Sequence, residues 1–293
     1  MRLIPSTGVI RTYGIHEPVA LVRPGEEFWV ETRDCYDGQV LSESDLRADL
    51  DASRFMPMTG PIAVQAARPG NSLRVEILSV EFGERGAMPL RPGMGILGSR
   101  LGEQRTRIIP LYPADGLLRM GPFAIPLNPM IGSIGTAPDG DQVPTSHPGP
   151  HGGNLDAREV GPGNVLHLPV FVADALLALG DLHAAMGDGE MNGQGVEAPG
   201  RVRLRVWVLP ETISHPRVET ADSWVFFGTG ATLEEALRVA ASDTVDFICR
   251  QYEVDFELAY RVLTMACHAG VAAVVNPVMT AKVTLPKSLG GTR

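Results

Sequence analysis

The chain has 293 residues, 44% of them AVILMFWYC and 20% charged, a globular composition with enough apolar mass for a substantial core. Its formal net charge of −9 at pH 7, without a Lys/Arg cluster, argues against a nucleic-acid partner and gives no hold on an anionic membrane. Cys35, Cys249 and Cys267 are too few and too widely spaced for a disulfide scaffold or a zinc ribbon, and no apolar run is long enough to predict a transmembrane helix.

The first residues, Met1-Arg2-Leu3-Ile4-Pro5, lack the apolar stretch of a signal peptide, so with the cysteine usage a cytoplasmic location is expected. Glu27 to Arg33 alternates, with Phe28, Val30 and Thr32 on one face, and predicts a half-buried strand. Pro69-Gly70-Asn71 is a turn leading into a second alternating run, Leu73, Val75 and Ile77. Residues 83 to 165 are rich in Gly and Pro and predict long loops with short strands between them, a setting where function often resides. Arg201 to Val208 is the clearest strand, with Val202, Leu204, Val206 and Val208 sharing a face. Thr232 to Glu235 has the form of a capping box, and Leu233, Ala236, Leu237 and Ala240 follow at helical spacing. A second helix is predicted with Phe256, Ala259, Tyr260, Leu263 and Cys267 on its packed face. Val271 to Val275 and Lys282 to Leu285 read as strands. The expected fold is mainly β, largely antiparallel, with two late helices covering one side.

Three polar clusters carry chemistry that a core does not need. Asp34 follows the first strand, where it can be aimed into a cleft or can close a turn on its own backbone. In His151-Gly152-Gly153-Asn154-Leu155-Asp156, Asn154 and Asp156 share a face if extended, and the glycines let the backbone bend around a small group. In Asp181-Leu182-His183, followed by Gly187-Asp188-Gly189-Glu190, a nearly apolar run from Leu166 to Gly180 delivers acidic and imidazole groups. Buried charges of this kind need a partner or a metal. Asp, Asn, His and Glu without Cys suit a divalent ion, and spacing alone leaves zinc, manganese, iron and calcium open.

These segments resemble the acetamidase/formamidase family. The resemblance rests on Glu31-Thr32-Arg33-Asp34-Cys35, Met58-Thr59-Gly60-Pro61-Ile62-Ala63-Val64, Pro129-Met130-Ile131-Gly132, Pro150 to Asp156, Gly180 to Glu190, and Val274-Val275-Asn276-Pro277, in the family's order. It implies hydrolysis of a short amide to ammonia and carboxylate, a β-barrel with a β-sandwich-like part, a divalent metal and a homodimer. Carried over by motif, Asp34, His151, Asp156, Asp181 and His183 are the expected metal ligands, with zinc the first choice and calcium or another divalent ion the alternative. Glu190 is the expected proton carrier and Asn154 the expected oxyanion donor. We expect residues 1–130 to form an N-terminal β domain and residues 131–293 a C-terminal β-rich domain with the helices, both contributing to one site.

The sequence departs from the family pattern at Ala272-Ala273, at Asn276 in place of Asp, and at Phe226-Phe227-Gly228. A different linear amide therefore stays open as substrate. A non-catalytic, metal-dependent β protein that binds a small ligand is the rival reading, since fold alone does not fix function. A Cys-Glu-Lys amidase would need a lysine beside an activated thiolate, and the only lysines are Lys282 and Lys287. Cys35 reads as structural. His167 reads as a hydrogen-bonded core residue.

Overall fold

A computed structural model describes residues 1–290. Its largest element is a nine-stranded sheet. In spatial order the strands are Arg2–Ile4, Glu27–Thr32, Gly200–Leu209, Ser72–Phe82, Val165–Pro169, Arg217–Glu219, Ser223–Gly230, Met279–Pro286 and His268–Ala273. All neighbours in it are antiparallel except the first pair. Strand twist accumulates across wide sheets, and the fold includes a sheet curled into a half-barrel. A seven-stranded sheet runs Pro148–Gly149, Gly152–Asn154, Met130–Gly135, Leu177–His183, Met58–Val64 and Val9–Ile10, with Ala20–Val22 added parallel to Met58–Val64. The fold is mainly β, as the alternating runs predict.

One core joins the two large sheets in a sandwich-like layer. Phe28, Val30, Val75, Val202, Leu204 and Val206 come from one sheet and Ile62, Val64, Ile131, Ile134, Leu177 and Leu179 from the other. Full burial of each such side chain contributes about 1.5–3 kcal/mol relative to exposure. The predicted strands lie where the alternation put them, with Phe28 and Val30 inward and Trp29 half-buried on the opposite side. In the nine-stranded sheet strands from either side of residue 130 interleave, Gly200–Leu209 lying between Glu27–Thr32 and Ser72–Phe82, whereas in the seven-stranded sheet the four strands from residue 130 onward lie together beside the three earlier ones.

Residues 83 to 165 hold more regular structure than their Gly and Pro content suggests. Arg85–Leu90, Arg105–Tyr112, Leu117–Met120 and Phe123–Pro126 form a four-stranded antiparallel sheet. Late in the chain lie α1 (Leu233–Tyr252) and α2 (Phe256–Ala266). The capping box is present: Thr232 accepts from the Glu235 N–H, and the Glu235 side chain accepts from the Thr232 N–H. Helix α1 packs Val245, Phe247 and Ile248 against Phe226 and Leu285 of the nine-stranded sheet. In α2, Ala259, Leu263 and Cys267 join that cluster, but Phe256 and Tyr260 are exposed and stack on each other at 5.6 Å. One turn apart, the two rings satisfy each other and leave the packed face to smaller side chains. Among the described residues no helix is long and apolar enough to cross a membrane.

Candidate active site

An inner strand of the seven-stranded sheet, Met130–Gly135, assembles the site. It pairs antiparallel with Gly152–Asn154 on one side and with Leu177–His183 on the other. The register sets Ser133 opposite both Asn154 and Gly180, and Met130 opposite His183. The two polar motifs, some thirty residues apart in sequence, thereby flank Gly132. A Cβ at Gly132 would lie 2.7 Å from Asp181 Oδ2 and from the Asp181 carbonyl oxygen, and 2.8 Å from Asp156 Oδ1. Only glycine leaves room for these two carboxylates to converge.

Three acidic residues of the site have left-handed backbones. The φ angles are 44° at Asp156, 57° at Asp181 and 47° at Glu190. For residues other than glycine this region is sparsely populated, and such conformations cluster where function over-determines the backbone. The twist turns each carboxylate out of its strand or loop and toward its neighbours.

Two adjoining groups of ligand atoms result. Asp156, His183 and Glu190 each offer one atom within 4.8 Å of the others, and Cys35, Asp181 and Glu197 do the same. His183 joins the groups: its Nε2 is 3.3 Å from Glu197 Oε1 and 3.6 Å from Asp181 Oδ1. Among the described residues neither of its ring nitrogens has a hydrogen-bond partner of good geometry, and Asp156 Oδ1, Asn154 Oδ1 and Glu197 Oε2 are likewise buried without one. Gly195 admits the imidazole, since a Cβ there would lie 2.4 Å from its ring.

The electrostatics reflect crowding. Burial, reinforced by Asp181, pushes Asp156 up to about 7. Burial pushes Glu197 to about 7 against the opposing pull of His183. Burial and then Asp156 hold Glu190 well above the usual carboxylate range. His183 is displaced upward despite its burial, because Glu197 and Asp181 favour its charged form. Four buried carboxylates stand around one imidazole, and three of them resist ionisation because full ionisation would leave buried negative charge that one imidazole does not balance. Oxygen and imidazole atoms that converge in this way are of the kind that could hold a hard or borderline divalent cation.

Neighbouring elements fix the acidic loops. Asn276 Nδ2 donates to Asp156 Oδ2 at 2.6 Å and to the Asn154 carbonyl at 3.1 Å. Lys282, buried on Met279–Pro286, donates to Glu159 at 2.7 Å and to Asp188 at 2.6 Å, tying the loop after Asp156 to the loop before Glu190. The Gly189 N–H donates to Ala272 O at 2.7 Å, and the Val274 N–H to Gly189 O at 3.2 Å.

Asn154, Asp156, Asp181, Glu190 and Glu197 line one cavity of about 490 Å³. A second cavity, of about 770 Å³, touches Glu197 and Asp34 but none of Asp156, Asp181 and Glu190. The titratable groups converge on the smaller one.

Of the residues singled out in the sequence, Asn154, Asp156, Asp181, His183 and Glu190 come together, and two stand apart. Asp34 lines the second cavity, and its Oδ1 accepts from the Tyr36 and Gly38 N–H groups at 2.9 and 3.2 Å, closing a turn on its own backbone. His151 packs on Tyr13 at 4.9 Å between ring centroids and has no place in either ligand group. Burial pushes its pKa down to about 4, with no carboxylate contributing. Sequence reasoning missed Glu197, whose signal was a lone acid between Val196 and Ala198; Cys35, read there as structural, brings its thiol within 4.8 Å of ligand atoms of Asp181 and Glu197. His167 is buried as expected, but among the described residues neither ring nitrogen finds a hydrogen-bond partner.

With this geometry in place, comparison with known proteins is informative. The model of the Acetamidase/Formamidase family matches residues 14–147 and 140–289. The crystal structure of an acetamidase from Bacillus halodurans is similar over 99% of this chain and 100% of that one, with 36% identity and a TM-score of 0.95. A formamidase of Methylophilus methylotrophus is 26% identical over 83% of this chain and 74% of its own length. An acetamidase of Mycolicibacterium smegmatis is 29% identical over 64% of this chain, and the match spans 62% of that relative.

Proposed function

The chain belongs to the acetamidase/formamidase family, and from that membership we propose that it hydrolyses a short linear amide to ammonia and a carboxylate with the help of a divalent cation. The observation that supports the reading best is the convergence of five buried side chains: Asp156, Asp181, Glu190 and Glu197 line one cavity, and His183 Nε2 lies 3.3 Å from Glu197 and 3.6 Å from Asp181. Asp156, Asp181 and His183 would hold the cation, with Glu197 completing the set. When bound, a divalent ion supplies Lewis acidity toward the amide carbonyl and makes water a stronger acid, from a pKa of about 15.7 to about 7. Zinc is the first choice for an imidazole-containing set, and calcium the alternative for one so rich in oxygen.

The chain's own residues do the rest. Glu190 opens onto the cavity, and among the described residues its carboxylate has no hydrogen-bond partner, whereas Asp156 is held by Asn276. Glu190 is thus free to take a proton from the attacking water and return it to the leaving nitrogen. Asn154 lines the same cavity, and its side-chain amide can donate to the developing oxyanion, a contact of the kind worth about 2.7–4 kcal/mol of barrier. Cys35 does not fit a nucleophile. Burial, then Glu197 and Asp181, hold its thiol well above its ordinary pKa, and Lys282 is engaged with Glu159 and Asp188.

Ammonia release from formamide, acetamide and propionamide tests the proposal. We expect turnover to disappear on chelation and to return with one of zinc, manganese or calcium. Undiminished activity in a verified cation-free enzyme would take the cation out of the reaction. A second expectation concerns Gly132. Gly132→Ala should weaken cation binding about 10–100-fold, as displaced supporting contacts do at metal sites, while circular dichroism shows the sheets intact. Wild-type affinity by calorimetry would refute the crowding argument.

A further inference from the structure

The cavity is larger than formamide or acetamide requires. About 490 Å³ lies within the range of about 300–1,000 Å³ that holds ligands of drug size, whereas these amides have only a handful of non-hydrogen atoms. The excess space is bounded by the segment between two family motifs, the one ending at Cys35 and the one beginning at Met58. Tyr36, Arg47, Ser53 and Phe55 come from it, and Arg47 sits on a short turn of 3₁₀ helix, Arg47–Asp49.

Arg47 is distinctive in its partners. Arg11, the other cation on the cavity wall, pairs with Asp37 at 3.1 Å. Among the described residues Arg47 makes no ion pair. Its one side-chain hydrogen bond is from Nη1 to the Tyr36 hydroxyl at 2.6 Å, and the hydroxyl in turn donates to Gln194. Its guanidinium carbon lies 5.3 Å from the Tyr36 ring centroid and 5.4 Å from that of Phe55, so the two rings hold the group half-buried. A guanidinium has five N–H donors in a planar fork, and here most have no acceptor in the protein. Held in place by aromatic rings, it has lost little further freedom when an acceptor arrives, and its geometry matches a carboxylate.

We infer that the preferred substrate is a linear amide that carries a carboxylate at the far end of a short carbon chain, with Arg47 as the residue that selects for it. The inference rests on the amidase reading above: the amide end meets the acidic cluster, and the carboxylate end meets Arg47 at the outer wall.

Succinamate and glutaramate are the probes, compared with neutral isosteres in which isopropyl replaces the carboxylate. With the cation-loaded enzyme, kcat/KM should favour the carboxylate-bearing amides. In Arg47→Gln that preference ratio should fall about 10–100-fold, the effect of losing hydrogen bonds to a charged group. Arg47→Lys should restore part of it, since charge returns without the fork. An equal loss on charged and neutral amides, or no preference in the native enzyme, overturns the inference while leaving the amidase reading intact. Calorimetric titration with succinamate decides the matter independently of turnover. Binding tighter than that of its isostere, and weakened in Arg47→Gln, supports the inference, and equal binding refutes it. No ammonia from any amide would instead sink the amidase reading.

Discussion

Glu190→Gln is expected to lower kcat by about 10²–10⁴-fold, the usual contribution of a positioned acid–base group, while cation and product binding stay near wild type. Glutamine keeps the length and polarity of the side chain but exchanges a proton-accepting oxygen for an amide. Calorimetry with the divalent ion separates the roles. Retained binding with lost turnover marks Glu190 as the proton carrier. Loss of both would make it a ligand, as its membership of the Asp156–His183–Glu190 group allows, and would pass the proton to Glu197. Retained turnover in Glu190→Gln would exclude both roles. The same variant addresses the non-catalytic alternative, since a protein that only binds its ligand has no turnover to lose.

The second large effect is on stability. Lys282→Met should destabilise the fold by about 3 kcal/mol, because it strands Glu159 and Asp188 without their shared ammonium. The figure is at the low end for a broken buried pair because Asp188 is 37% exposed on its side chain and Arg158 remains 3.2 Å away. Chemical denaturation measures it. Adding Glu159→Gln and Asp188→Asn to Lys282→Met should recover much of the loss, since removing every member of a buried charge group is far less costly than removing one. If the triple variant is no more stable than the single one, the lysine acts through packing of its carbon stem instead.

How far the sequence foretells this site depends on the kind of interaction. Period-two alternation over Glu27–Thr32 and Gly200–Leu209 was readable because each strand has one wet face and one face in the core. The Thr232–Glu235 box was readable because its two bonds are local. Asp181 and His183 were readable as a buried pair, since an apolar strand leads into them. Arg105–Tyr112 was hidden, because Pro110 within the run speaks against a strand although the paired sheet accepts it. Asp34 is the instructive exception. Its motif matched, yet Asp-Cys-Tyr-Asp-Gly is also turn chemistry, and the local backbone N–H groups took the carboxylate. Glu197 arrives through a bridge to His183 and another to Ala87, pairings between segments that no short-range pattern announces. Nor does one-dimensional spacing say that Phe256 and Tyr260 stack on each other in place of packing inward.

The residues around the cavity reach from Arg11 to Pro277, with Lys282 following on the next-to-last strand of the big sheet's spatial order. During synthesis, the early strand Glu27–Thr32 must wait for Gly200–Leu209 before it has a neighbour on that side, and the acidic loops must wait longer for Asn276 and Lys282. Contacts this distant along the chain form late and slowly. A nascent polypeptide cut off before residue 276 therefore carries every carboxylate of the centre but lacks the two side chains that lock them. If the proposed cation binds there, its tight capture would have to await synthesis of the segment through Lys282 and its docking behind the acidic loops.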